Sequence, residues 1–61
     1  MMILKVFKAV GDSLPYADAY TQLISLYAGS QYAKNKAAGS LGGAVNGGTI
    51  ILHKGVYTRI R

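Results

Sequence analysis

Sixty-one residues with no cysteine, and seven Lys and Arg against two Asp, exclude disulfides and thiolate metal sites and leave a net charge of +5. A single histidine cannot assemble a zinc site by itself, one histidine and two aspartates give little material for a catalytic triad, and Asp12 and Asp18, six residues apart, do not face each other on one helix for paired carboxylate chemistry. A chain this short buries a modest share of its surface, so stability is expected from helix packing, copies of itself or a partner protein.

The charge is unevenly placed. Lys5 and Lys8 balance Asp12 and Asp18, so the surplus lies in Lys34, Lys36, Lys54, Arg59 and Arg61. That asymmetry points the C-terminal half toward an anionic partner, either nucleic acid or lipid headgroups. The competing reading is a solvated basic surface that only maintains solubility.

In chain order, the N-terminal apolar run is interrupted by Lys5 and Lys8 and lacks the long apolar core of a signal peptide. An unprocessed product of cytoplasmic synthesis is expected. Ile3, Val6, Phe7 and Val10 share one helical stripe, which predicts a short amphipathic helix over 2–10, stopped by Gly11. Asp12, Ser13 and Pro15 then form a helix-start signal.

From there Tyr16, Tyr20, Leu23 and Tyr27 step by four, three and four, a helix-seam spacing. The pattern predicts a helix from about 14, reaching 38 and broken near Gly29, where glycine costs about 1 kcal/mol against alanine. The tyrosines are expected to fill a helix–helix seam with their hydroxyls at its edge, and to serve as an association face. A base-stacking platform would interleave basic residues, and no Lys or Arg lies between Asp12 and Ala33. Lys34 and Lys36 would suit a helix C-terminus.

Residues 39–48 hold most of the glycine and admit two readings. As a joint they would link helix to tail flexibly. As a helix they place Gly39, Gly43 and Gly47 on one face, the small-xxx-small spacing for close backbone packing. The span without formal charge over 37–53 is 17 residues, at the lower limit for crossing a bilayer.

Residues 49–61 are β-branched and aromatic, and read as an extended or β-like basic tail with a turn at His53-Lys54-Gly55. Alternation would put Val56, Thr58 and Ile60 on one face, with Tyr57, Arg59 and Arg61 on the other. The tail, with Lys34 and Lys36, makes a candidate polyanion patch of low sequence specificity.

Chemistry-bearing motifs are missing. No Ser lies in a nucleophile elbow, and the glycine run has no Gly-Lys-Ser/Thr ending for phosphate binding. No enzyme, cofactor, metal or small-molecule substrate is expected. In general character the whole chain resembles two kinds of short protein. One is the minor structural protein of a phage or similar assembly. The other is the membrane-active bacteriocin type, from which it departs in lacking tryptophan. The expectation is a mainly α single unit: a short amphipathic helix, a tyrosine-seamed helix, a glycine-rich joint and an extended basic tail. Its expected role is that of a non-enzymatic assembly subunit. A membrane-active peptide and a non-specific nucleic-acid-binding module are the alternatives.

Overall fold

In the computed structural model, which describes residues 2–61, the chain runs α1 (Ile3–Val6), β1 (Ser13–Pro15), α2 (Tyr16–Leu26), α3 (Ala33–Asn46), β2 (Ile50–His53) and β3 (Val56–Arg59). Helices dominate by residue count, beside an antiparallel sheet in the order β1-β3-β2. The hairpin turns on Lys54 (φ 50°) and Gly55 (φ 77°), two left-handed residues in succession. That geometry matches the right-handed twist of the flanking strands. Its register pairs His53 with Val56 and Ile50 with Arg59, and β1 adds to β3 with Leu14 opposite Tyr57.

The register sorts the sheet into two faces. Leu14, Ile50, Leu52, Tyr57 and Arg59 share the inner one, where Ile50 and Tyr57 are buried. Ser13, Ile51, His53, Val56 and Thr58 share the outer one, with a Ser13–Thr58 hydroxyl bond of 2.9 Å across it. The helices cover the inner face. Their contribution to the core is Ile3, Val6, Ala19, Leu23, Ala37, Leu41 and Ala44, with Phe7 fully buried just past α1.

Four expectations need correction. The first helix stops at Val6, short of residue 10. In a continuing helix the Gly11 amide would donate to the Phe7 carbonyl. Here it donates to the Arg59 carbonyl at 2.8 Å, while Arg59 Nη1 donates to Phe7 O at 3.0 Å. The strand has replaced the next helical turn.

Secondly, Leu14 belongs to a strand, so the second helix begins at Tyr16, with Pro15 as its N-cap residue. Ser13 is engaged with Thr58, and Asp12 Oδ2 accepts the Ala9 amide at 2.9 Å, so neither caps the helix. The break does come at the expected place: α2 ends at Leu26, and Gly29 has φ +92°.

Thirdly, the glycine-rich joint is helical through Asn46. Ala37, Leu41 and Ala44, at i, i+4 and i+7, are buried. Burying Leu41 stabilises by about 1.5–3 kcal/mol and the alanines add to it, which offsets about 1 kcal/mol per interior glycine. The helix ends with Thr49 N–H donating to Ala44 O and Gly48 N–H to Val45 O, with Gly48 at φ +77°. That is the two-bond C-terminal motif which requires a left-handed residue. Only Gly47 and Gly48 act as the joint.

Lastly, Lys34 and Lys36 stand in the first turn of α3, at the positive end of its dipole, where the sequence pattern placed a helix C-terminus.

Candidate functional site

The tyrosine seam is closed within the chain. Leu23 is fully buried, Tyr20 OH donates to Lys34 O at 2.9 Å, and Tyr27 OH pairs with Ser40 Oγ at 2.7 Å. Both bonds tie α2 to α3. Tyr16 stacks between Tyr20 and Tyr57, with centroids at 5.7 and 5.8 Å, and keeps half its surface exposed. The seam therefore supplies the core, and an association face must be sought elsewhere.

Gly39 and Gly43 share an exposed face of α3, and a Cβ built at either meets nothing within 4 Å. Among the described residues no backbone of another element packs against them. Met2 and Ile3 form the opposite wall of a shallow groove that Gly39 and Gly43 line. Among the described residues no helix is long and apolar enough to cross a membrane, because residues 37–53 divide into helix, turn and strand.

The five surplus cations do not form one patch. Lys34 and Lys36 are exposed at the start of α3, with Lys36 Nζ 5.8 Å from the Tyr27 ring centroid. The Arg61 guanidinium lies against Gly48 at the far end, where a built Cβ would stand 2.6 Å from Nη2. The helical rise separates these ends by roughly 20 Å. Lys54 is exposed on the hairpin turn. Arg59 is drawn into the fold by its bond to Phe7 O and by a second, 2.9 Å, from Nε to Arg61 O.

No serine hydroxyl among the described residues is hydrogen-bonded to His53, Asp12 or Asp18. Tyr57 shows a displaced titration. Burial of its ring pushes the hydroxyl's pKa up, and the neighbouring Tyr16 adds to the shift.

The sheet's outer side is uncovered. Ile51 and Ile60 there are 46 and 45% exposed, and Leu52, on the inner face, is 48% exposed; exposed apolar side chains mark contact surfaces when contiguous. Ile51 and Leu52 lie on β2, an outer strand with no proline, bulge or acidic side chain. Strand β2 is legible in the sequence through its β-branched run. Strand β1 is not, because Ser13-Leu14-Pro15 is too short to show a period and carries helix-start residues. Without β1 the outer position of β2 could not be deduced. Comparison of the chain with protein-family models, with curated proteins and with solved structures returned no match.

Proposed function

We propose that this chain is a non-enzymatic, small basic structural subunit that packs into a larger assembly, such as a phage-like virion or a membrane-attached complex. The observation that supports it is the pairing of a self-contained core with half-exposed apolar side chains on the sheet, Ile51 and Ile60 on its outer face and Leu52 on its inner one. The core is already filled by the tyrosine seam, so the sheet side is surplus to folding. Exposed cations beside it add an anionic contact of low specificity.

The test is gradient sedimentation of the tagged chain from its native cells, at low and high salt. Comigration with a complex far larger than 6.5 kDa is expected. Migration as a free chain under every condition refutes the reading.

A second reading, contact with nucleic acid or anionic lipid, draws on Lys34 and Lys36 at the positive end of α3. It requires salt-sensitive binding to duplex DNA or anionic vesicles that the double substitution Lys34→Gln, Lys36→Gln abolishes.

A further inference from the structure

At its hairpin end the inner face of the sheet is not fully covered. Leu52 shares that face and stands opposite Tyr57 in the register, yet it is half-exposed. Tyr57 is buried, and part of its cover is the ring of Tyr16, stacked on it at 5.8 Å with 26° between the planes. Tyr16 stacks in turn with Tyr20, at 5.7 Å and 28°. These are offset stacks, which leave part of each ring uncovered. Leu52, Tyr57, Tyr16 and Tyr20 thus form one strip, buried at Tyr57 and half-exposed at Leu52 and Tyr16.

The tyrosine segment carries no Lys or Arg of its own, and the fold supplies them from distant parts of the chain. The Tyr16 amide donates to Gly55 O at 2.8 Å, which sets Lys54, the residue before Gly55, beside one end of the strip. Tyr20 OH donates to Lys34 O at 2.9 Å, which sets Lys34 beside the other. Both lysines are exposed. The two carboxylates are turned away. Asp18 is on α2, and at about 100° per residue it stands roughly 160–200° around the helix from Tyr20 and Tyr16. Asp12 lies at the far end of β1, where its carbonyl accepts the Arg59 amide and its Oδ2 the Ala9 amide.

We propose that this strip binds single-stranded nucleic acid, with a base laid against the open parts of Tyr16 and Leu52 and the flanking phosphates on Lys34 and Lys54. Every base has a flat π-face, so the contact is tolerant of sequence. A duplex holds its bases within its own stack, and only the lysines could engage it. Lipid headgroups match the lysines equally well, but they have no flat face to lay on a ring. The inference goes beyond the assembly reading, and it shares only Lys34 with the nucleic-acid alternative above.

The probe is a short fluorescein-labelled oligothymidylate, and its control is an abasic strand of equal length and charge. The full chain is titrated into each at low salt, with anisotropy as the readout. The oligothymidylate is expected to bind roughly ten-fold more tightly, because only it can stack. Tyr16→Phe keeps the ring and should bind as the parent does. Tyr16→Leu keeps an apolar cover over Tyr57 and should lose the preference for bases. Lys34→Gln with Lys54→Gln should lower the log–log salt slope by about 1.4, since each phosphate contact with a single strand contributes about 0.7. If circular dichroism shows that Tyr16→Leu fails to fold, the parent's comparison of the two strands and the lysine variant carry the test. Equal binding of both strands by the parent overturns the proposal, as does a salt slope indifferent to the two lysines. Tyr16-dependent binding to phosphatidylserine vesicles, with none to the oligothymidylate, also overturns it and assigns the strip to a lipid surface. Salt-sensitive duplex binding that is lost with Lys34 and Lys36, beside equal binding of the two single strands, sinks the strip and leaves the nucleic-acid alternative standing.

Discussion

Replacing Gly39, Gly42 and Gly43 together by alanine separates the structural accounts of the glycine-rich stretch. All three lie inside α3, and a Cβ at each meets nothing within 4 Å. No collision opposes the change, and alanine is favoured over glycine in a helix interior by about 0.8–1 kcal/mol per site. The triple variant is therefore expected to gain about 2–3 kcal/mol if the sites act independently. In a domain this small that corresponds to a rise in midpoint of roughly 10–20 °C. Thermal melts followed by circular dichroism read the change directly. An unchanged or lowered midpoint would refute the reasoning: the former fits a flexible joint, and the latter fits glycines already in backbone contact. Running the melt beside the sedimentation assay adds a second result. A variant that is more stable alone but lost from the complex would place a partner's backbone on the Gly39–Gly43 face.

Three further outcomes are expected. Leu23→Ala should cost about 2–5 kcal/mol, because its fully buried side chain joins the helical seam to the rest of the core. That is comparable to the whole stability of a domain this size, so a denaturant titration should find the variant largely unfolded; a melt near the parent's would disprove the closed seam. Burial holds Tyr57 protonated above the ordinary tyrosine pKa of about 10. The folded state keeps its proton longer than the unfolded chain, so this contribution is intact below about pH 10 and lost as pH rises through the folded pKa. Tyr57→Phe should flatten that alkaline loss, and a parent melt independent of pH above 10 would contradict the assignment. Arg59→Gln should lower stability by about 1 kcal/mol, since a half-exposed guanidinium loses its bond to Phe7 O, whereas Lys34→Gln with Lys36→Gln should not lower it. Equal melts for the two variants would return Arg59 to the free surface.

Much of the helical half was legible because its signal is local. Tyr16, Tyr20, Leu23 and Tyr27 repeat at a helical period, and each residue of that stripe ends in or against the core or in the aromatic stack. The break near Gly29 was legible for the same reason. The glycine stretch was not, because glycine's local preference opposes helix and only tertiary burial of Ala37, Leu41 and Ala44 reverses it. The first helix shows the opposite failure. Val10 continues the apolar stripe of Ile3, Val6 and Phe7, yet it is exposed, because strand β3 claims the chain at Gly11.

The tail shows where pattern and placement part. Alternation grouped Tyr57 with Arg59 on one face, as the register has them, but it could not say that this face turns inward. A reader of the pattern would send the arginines to solvent and the Val56–Ile60 face to the core. The helices instead choose the face that also brings Ile50 under them, and Ile50 reaches it only through the hairpin register. Once Tyr57 is buried, Arg59 must lie on the same inner side two residues on. A guanidinium there is tolerated because carbonyls accept its hydrogens, and the Phe7 carbonyl is free because the helix that would have used it has ended. Ile51 and Ile60 are left facing out by the same choice. The apolar side available to a partner is thus the complement of the face that folding consumed, and its position follows from one register rather than from any motif.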